Sequence, residues 1–238
     1  MNLLAQAFHQ FLSTPLFGIT LTVAVHAASV RLWHRCGRTP LLTPVLVSML
    51  VIVALLTVTG VSYESYMLGG NYLAFLLGPA TVALAVPLYR AFDQIRRFLV
   101  PITVGVVAGS TVAMATGVLT VRVLGGDHVL EATMAPKSAT TPIAIAMAES
   151  AGGNASLTAV LTVLTGVLGA IAGPGLLDLL RIGDPRVRGL AMGVSSHGIG
   201  TSRALAAGPV TGAFAALAMA LSGVVTSLLV PAVLALLG

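Results

Sequence analysis

The sequence predicts an all-α, polytopic integral membrane protein in which two opposed polar segments, re-entrant or broken, form an inverted repeat. Of its 238 residues, 57% are hydrophobic and 8% are charged, whereas an ordinary soluble domain carries about 25% charged residues. Two stretches, 133–142 and 193–203, interrupt the apolar sequence with Pro or Gly, hydroxyl groups and a cationic or titratable side chain. Such stretches are tolerated at membrane depth only where protein or a wet cavity surrounds them. We expect one membrane domain over 1–238, with scaffold helices in 1–98 and two helix-plus-polar-segment repeats in 99–238.

Six apolar runs are long enough for membrane-spanning helices, which need about 20 residues. They cover residues 15–30, 44–61, 72–89, 99–123, 155–180 and 211–237. Pairs of glycines four residues apart predict close approach between helix backbones. These pairs are Gly105/Gly109, Gly169/Gly173, Gly189/Gly193 and Gly208/Gly212. In the fifth run, Thr158, Thr162 and Thr165 are expected to bond back to the carbonyl four residues earlier.

Arginine-rich loops predict the orientation of the chain. They contain Arg31, Arg35 and Arg38 after the first run, Arg90, Arg96 and Arg97 after the third, and Arg181, Arg186 and Arg188 after the fifth. The loop 61–71 contains Glu64 and no Lys or Arg. The positive-inside rule places the three basic loops in the cytoplasm and the loop 61–71 outside. We therefore expect a multi-pass protein of the cell inner (plasma) membrane with its N-terminus outside.

The same rule favours a re-entrant hairpin at residues 131–151, with its bend near 136–142. If this segment crossed the membrane, the arginines after the fifth run would lie outside, against the rule. If the segment dips in and returns, these arginines lie inside. The second polar segment, 189–206, then starts from the cytoplasm, so the two polar segments enter from opposite faces.

A weak internal repeat agrees with this arrangement. Met134 and Ser138 lie 58 residues before Met192 and Ser196, and a short Gly-Asp loop precedes each polar segment. Inverted repeats with interrupted segments are typical of secondary transporters, which bind their substrates at the repeat interface. In a chain so rich in Ala, Gly and Val, chance similarity is the alternative explanation.

The polar segments predict a site for a small anion. Lys137 would supply the charge, and hydroxyl groups would orient the ligand. These hydroxyl groups belong to Ser138, Thr140, Thr141, Ser195, Ser196 and Thr201. Helix ends created by the breaks add partial positive charge. The alternative is a structural role for Lys137, either as a snorkelling lysine or as the partner of Glu131 or Glu149.

His197 and Arg203 are further candidates in the second segment. His197 could carry a coupling proton, donate a hydrogen bond to a substrate, or tie two helices together. Arg203 could hold a carboxylate in a bidentate pair or anchor the segment at the membrane interface. The sequence has one cysteine, Cys36, and no catalytic or Cys/His metal-binding motif. We expect no enzyme activity, no metal site and no cofactor other than a coupling H⁺ or Na⁺.

Four stretches resemble the signatures of the LrgB/CidB family, and the resemblance extends over nearly the whole chain. They are LGPATVALA at 77–85, PKSATTPIA at 136–144, LTAV at 157–160 and SHGIGT at 196–201. The chain departs from the family pattern at Gly198 and Ser202, where Ala is usual. This departure leaves the chemistry of the predicted site intact but would change the stiffness of the local helix.

The resemblance implies a transporter. The family is similar to the LrgB-like half of the plastid glycolate/glycerate translocator, which implies a small monocarboxylate substrate such as glycolate, glycerate or lactate. The family is also described as an antiholin-like regulator of murein hydrolase export and autolysis, acting beside a small LrgA/CidA partner. A pure regulator has no need for cationic polar segments at membrane depth, which favours transport. We also expect a homodimer with twofold symmetry, the commonest closed assembly, and no nucleic-acid partner.

The predicted hairpin can be tested by cysteine labelling. In a Cys36→Ser background, single cysteines replace Ala151 and Gly183. An impermeant thiol reagent is expected to label Ala151→Cys from outside the cell and Gly183→Cys only from the cytoplasmic side. Labelling of Ala151→Cys solely from the cytoplasmic side would show that the segment 131–151 crosses the membrane.

Overall fold

The computed structural model describes residues 10–37, 39, 42–83 and 85–237, and these residues form helices and turns with no strand among them. The predicted loop residue Arg38 lies outside the described residues. Within these ranges, four helices are long and apolar enough to cross a membrane. These features confirm the prediction of an all-α polytopic membrane protein.

We label the helices from residue 15 onward α1–α12. They are α1 (Pro15–Arg35), α2 (Pro44–Thr59), α3 (Tyr63–Phe75), α4 (Leu77–Ala83), α5 (Ala85–Arg90), α6 (Phe92–Arg97), α7 (Leu99–Val123), α8 (His128–Met134), α9 (Thr141–Ser150), α10 (Ala155–Leu179), α11 (Pro185–Ala207) and α12 (Pro209–Leu237). The four helices that are both long enough and apolar enough to span are α1, α7, α10 and α12.

The chain divides into two compact units, Met1–Ala83 and Leu84–Gly238. In the first unit, α1 packs against α2 and α3. The hydroxyl groups of Thr22 in α1 and Tyr66 in α3 are 2.8 Å apart and share a hydrogen bond. All candidate site residues belong to the second unit, Leu84–Gly238.

The predicted spanning helix at 72–89 is wrong. The helix α3 begins already at Tyr63, where the hydroxyl of Ser62 caps it, and ends at Phe75, so the helical backbone breaks at Leu76, within the predicted run. Pro79 lies in the first turn of α4, which begins at Leu77. Proline has no N–H to donate, so it is tolerated in the first turn of a helix but interrupts a helix interior. The other five predicted runs coincide with α1, α2, α7, α10 and α12 to within five residues at each end.

In the second unit, α7 and α12 run side by side in the same direction. Towards their N-terminal ends, Ile102 of α7 and Phe214 of α12 belong to one buried cluster. Towards their C-terminal ends, Val118 of α7 and Val230 of α12 belong to another. The two ends of this helix pair serve as reference points for the positions of the polar segments.

The first polar segment forms a helical hairpin, which we call the first hairpin. It consists of α8, the connecting residues 135–140 as its tip, and α9. Glu131 in α8 pairs with Arg122 at the C-terminal end of α7, whereas the Lys137 side chain in the tip reaches the carbonyl oxygen of Ala113. Arg122 and Ala113 are nine residues apart, which is about 14 Å along a helix. The tip therefore lies level with the middle of α7.

The helix α9 returns from the tip to the end at which α8 entered. Near its start, Ile143 lies against Gly223, at the middle of α12. After its end, Ala151 packs on the cluster that contains Val230. The segment thus enters and leaves at the C-terminal end of the α7–α12 pair, as expected for the hairpin predicted at 131–151. Its position in a bilayer stays a prediction.

The second polar segment is also a hairpin, which we call the second hairpin, although helical backbone continues through almost all of α11. His197 interrupts the helix with φ 40° and ψ −132°. A Cβ atom placed on Gly200 would collide with the carbonyl oxygen of Met192. In a straight helix these two residues would be about 12 Å apart. The chain therefore reverses at His197, with an entering limb at 185–196 and a returning limb at 198–207.

The second hairpin enters from the opposite end of the unit. The guanidinium of Arg186 lies 4.3 Å from the ring centre of Phe98, immediately before α7. Both limbs then pass Ala215 of α12. A Cβ on Gly193 in the entering limb would collide with the Ala215 carbonyl oxygen, and Thr201 Oγ1 in the returning limb lies 3.4 Å from it. The two hairpins are therefore opposed, as the sequence predicts.

The helix α10 runs past both hairpins. Near its start, Thr158 Oγ1 donates to the carbonyl oxygen of Thr133 in the first hairpin at 3.2 Å. Two turns further on, a Cβ on Gly166 would stand 2.6 Å from the His197 ring at the tip of the second hairpin. Since α10 and α7 each contact both hairpins, these two helices bring the tips to one level of the unit.

Candidate functional site

Lys137 is the only lysine among the 12 Lys and Arg residues of the chain. Its Nζ donates to the Ala113 carbonyl oxygen at 2.9 Å, and it forms no ion pair within the described part of the chain. Glu131, one of its predicted partners, is held instead by Arg122. Glu149, the other, is exposed. The ammonium points to the middle of α7 and not to a helix end, so neither pairing with these carboxylates nor snorkelling describes its position.

The remaining predicted residues of the first tip carry hydroxyl groups that are not used by the fold. Ser138 is buried, and Thr140 and Thr141 are half-buried. Among the described residues, none of these three hydroxyls has a hydrogen-bond partner. The helix α9 also begins here, and the first N–H groups of a helix have no partner within it. The tip of the first hairpin thus combines an ammonium, free hydroxyls and a helix N-terminus.

The tip of the second hairpin is organised differently. The buried ring of His197 donates from Nε2 to the carbonyl oxygen of Thr162 at 2.9 Å. Thr201 Oγ1 donates to the His197 carbonyl oxygen at 2.8 Å, across the break. The hydroxyls of Ser195 and Ser196 are 2.9 Å apart. These predicted residues therefore lie together, and their hydrogen bonds stabilise the reversal of the chain.

Both tips contact α7 within about one turn of each other. Val194 Cγ1, three residues before His197, is 3.0 Å from the position of a Cβ on Gly109. Lys137 contacts Ala113, four residues further along α7, and four residues span about 6 Å. Both polar segments therefore contact the middle of α7.

Arg203 lies apart from this group. It is half-buried in the returning limb of the second hairpin, six residues after His197, which corresponds to about 9 Å along a helix. Arg203 is therefore nearer to the base of the hairpin than to its tip. Its assignment as a substrate-binding residue stays a prediction.

Two buried hydroxyls near the tips were not identified as site residues from the sequence. Ser110 in α7 and Thr162 in α10 are buried, and their hydroxyls have no hydrogen-bond partner among the described residues. Thr158 does bond back to the carbonyl four residues earlier, at 2.8 Å, as predicted for all three threonines of α10. The same expectation for Thr162 is wrong, and Thr165 likewise has no such bond among the described residues. Residue type alone does not reveal this difference.

Ion pairs stabilise the bases of both hairpins. At the first, Arg122 Nε and Nη2 donate to the two carboxylate oxygens of Glu131 at 2.9 and 3.1 Å. At the second, Arg188 pairs with Asp178 at the end of α10, 2.6 Å away. The Arg186 guanidinium beside Asp184 lowers the pKa of that carboxyl group from 3.8 to about 2. Glu131, Asp178 and Asp184 thus have arginine partners, whereas Lys137 at the first tip has no acidic partner among the described residues.

A cavity of about 290 Å³ lies elsewhere in the second unit, lined by Val86, Arg90, Ala91, Gln94, Pro209 and Val210. It borders the start of α12. Gly223, which contacts the first hairpin, is 13 residues further along that helix, or about 20 Å by helical rise. This cavity is therefore not the space between the tips.

The fold defines a class of protein: an α-helical membrane protein in which two opposed helical hairpins meet beside long, apolar helices. Residues 22–236 match the LrgB-like family, so the chain belongs to the LrgB-like family. It is 42% identical to the uncharacterized protein YxaC of Bacillus subtilis (strain 168) over 215 residues, which are 90% of this chain and 93% of that one. It is 38% identical to the uncharacterized protein YwbG of the same organism over 206 residues, 87% of this chain and 91% of that one. No solved structure matches.

The Arg122–Glu131 pair is expected to stabilise the first hairpin. Arg122→Met removes the two guanidinium hydrogen bonds of the buried Glu131 carboxylate and leaves it only His128, whose Nδ1 is 3.7 Å away, and a buried charge that loses its main partner is strongly destabilising. We expect Arg122→Met to lower the melting temperature in detergent, and the double variant Arg122→Met/Glu131→Leu to recover most of the loss. Arg97→Met, which removes an exposed arginine, serves as the control. Equal melting temperatures for the single and double variants would contradict a stabilising pair.

Proposed function

We propose that this protein transports a small monocarboxylate, such as glycolate, glycerate or lactate, and binds it between the tips of the two hairpins. The observation that carries this proposal is the Lys137 ammonium, which lies level with the middle of α7 and lacks an acidic partner in the described chain. A lysine at the membrane centre costs about 2.5–3.5 kcal/mol on insertion scales. A bound carboxylate would offset this cost, because it would give the ammonium a charged hydrogen-bond acceptor.

The surroundings of Lys137 also suit an anion. The N-terminus of α9 and that of the returning limb of the second hairpin both lie at the tips. Each helix N-terminus carries a partial positive charge, and transporters use such half-helix ends to bind the carboxylate of a substrate. The free hydroxyls of Ser138, Thr140 and Thr141 can donate to its oxygens.

The rival proposal is an antiholin-like regulator of murein hydrolase export and autolysis. The two Bacillus subtilis relatives are named as uncharacterized and support neither role. A regulator that acts through protein contacts would tolerate loss of the Lys137 charge. A carrier would not, and this difference separates the two proposals.

Replacement of Lys137 is expected to impair saturable flux. In liposomes that contain only this protein, uptake of labelled glycolate by the wild type should saturate with concentration and be competed by related 2-hydroxy acids. Lys137→Ala removes a charged hydrogen bond worth roughly 1.5–3 kcal/mol, so the apparent affinity should fall by about tenfold or more. Lys137→Arg should also fail, because a planar guanidinium cannot replace a compact ammonium.

The single lysine allows a matched control. Arg97→Met removes a cation from an exposed position outside the hairpins and should leave flux unchanged. Glycolate should also slow reductive methylation of Lys137, measured by peptide mass spectrometry, while the N-terminal amine reacts at its usual rate. Linear, unselective flux that Lys137→Ala does not alter would reject the carrier and favour the regulator. Because no LrgA/CidA-type partner is present in the liposomes, saturable flux would also show that none is required.

We further propose that His197 carries a coupling proton. Histidine is the side chain that most readily exchanges a proton near neutral pH, and His197 stands at the tip of the second hairpin. With an imposed pH gradient, acid outside, uptake by the wild type should accelerate several-fold over uptake at equal pH. His197→Gln, which retains a side-chain donor for the Thr162 carbonyl oxygen, should take up glycolate at the same rate in both conditions.

This experiment separates the proton from other coupling ions. His197→Gln that still accelerates in the pH gradient would remove His197 from the coupling step. If uptake by the wild type does not respond to the pH gradient but accelerates in an inward Na⁺ gradient, the coupling ion is Na⁺ instead. His34→Gln, which replaces an exposed histidine of the first unit, is the matched control.

A further inference from the structure

Two hydroxyl groups beside the hairpin tips are buried and have no hydrogen-bond partner within the part of the chain that the structure describes. Ser110 in α7 is 2% exposed and Thr162 in α10 is 0% exposed, and both Ser110 Oγ and Thr162 Oγ1 are unpartnered there. Buried polar groups in proteins are almost always hydrogen-bonded, and an exception calls for a physical cause such as a missing water, ion or ligand. These two hydroxyls therefore point to a bound species.

Neighbouring hydroxyls, by contrast, do have hydrogen-bond partners. Thr111, the next residue after Ser110, donates to the Val107 carbonyl oxygen at 2.8 Å. Thr116 and Thr120 of the same helix bond back in the same way, at 2.7 and 2.6 Å. This bond is the usual one for hydroxyls in membrane helices. Ser110 and Thr162 are helical too, yet their hydroxyls are not satisfied by their own helices.

Ser110 lies between the contacts that the two hairpins make with α7. The residue before it, Gly109, adjoins Val194 of the second hairpin, and Ala113 accepts the hydrogen bond from Lys137 of the first. Three residues separate Ser110 from Ala113, which is about 4.5 Å along the helix. Ser110 is thus close enough to touch a small molecule whose other end is bound by Lys137.

Thr162 occupies the equivalent place on α10. Its own carbonyl oxygen accepts the hydrogen bond from His197 in the second hairpin. One turn earlier, Thr158 donates to Thr133 in the first hairpin. Each of the two long helices that border the tips therefore contributes one unsatisfied hydroxyl at the level where the hairpins meet.

We propose that Ser110 and Thr162 bind the hydroxyl group of a 2-hydroxy acid whose carboxylate is held by Lys137, and so determine the selectivity of the carrier. This inference rests on the proposed function. A substrate hydroxyl both donates and accepts one hydrogen bond or more, as do the serine and threonine hydroxyls, so the three groups are complementary. An acid that lacks the hydroxyl leaves both side chains unpaired, and a site built around a substrate hydroxyl discriminates against such an analogue.

The test compares acids that differ by this one hydroxyl. Binding of glycolate and acetate, and of lactate and propionate, is measured by calorimetry with the purified full-length protein. The wild type should bind each hydroxy acid about tenfold to a hundredfold more tightly than its analogue. Ser110→Ala and Thr162→Val should each reduce this ratio of affinities by about tenfold, mainly because they weaken the binding of the hydroxy acid. Thr111→Val, which removes a satisfied hydroxyl next to Ser110, should leave the ratio unchanged.

Melting temperatures without ligand give a second readout. Replacing an unsatisfied buried hydroxyl by an apolar group removes a desolvated polar atom and breaks no bond. Ser110→Ala and Thr162→Val should therefore melt at the wild-type temperature or above it. A lower melting temperature for both variants would show that their hydroxyls have structural partners, and it would overturn the inference.

The outcomes separate this inference from the function on which it rests. A wild type that binds neither glycolate nor acetate rejects the carrier and, with it, the hydroxyl site. A wild type that binds both acids equally rejects the hydroxyl site alone. A wild type that prefers glycolate, with the same preference in Ser110→Ala and Thr162→Val, also rejects the hydroxyl site alone and keeps the carrier.

Discussion

Close backbone contact is the constraint on which the second unit depends. A hairpin that stops within an apolar environment leaves peptide groups at its tip that lipid cannot satisfy, so protein must cover them. Glycine makes this covering possible. A Cβ on Gly193 would collide with the Ala215 carbonyl oxygen, and a Cβ on Gly169 would collide with Ser196 Oγ. Because these positions lack side chains, α10 and α12 can lie directly against the limbs of the second hairpin.

Charge is distributed in a way that suits this packing. Each hairpin base contains a carboxylate paired with an arginine, Arg122–Glu131 at the first and Arg188–Asp178 at the second. These pairs can fix where each hairpin enters. The first tip is different, since Lys137 has only a neutral carbonyl oxygen as its partner among the described residues. A cation whose sole acceptor is a peptide oxygen can exchange it for a carboxylate at little cost, whereas one already in a salt bridge cannot.

The sequence predicts the hairpins better than it predicts the site. Opposed hairpins follow from the distribution of arginines and from the Pro and Gly breaks, which are local signals. The break at Leu76 within the run 72–89 does not follow from hydropathy, because the stretch is apolar and long enough to span. The unsatisfied hydroxyl of Ser110 could not be foreseen either. Thr111 beside it has similar chemistry, and only the packing around each side chain makes one bond back to the helix and leaves the other without a partner.

The glycine pairs four residues apart differ in whether they tolerate substitution by a larger residue. Gly105 and Gly193 both belong to pairs with four-residue spacing, yet no described atom lies within 4 Å of a Cβ on Gly105. Alanine is favoured over glycine in a helix by about 1 kcal/mol, so Gly105 and the similarly open Gly175 are sites at which rigidity can be added without collision. The glycines against the hairpins are the opposite case. A variant stabilised for crystallisation would therefore carry alanine at the former positions, with every glycine at a hairpin contact kept as it is.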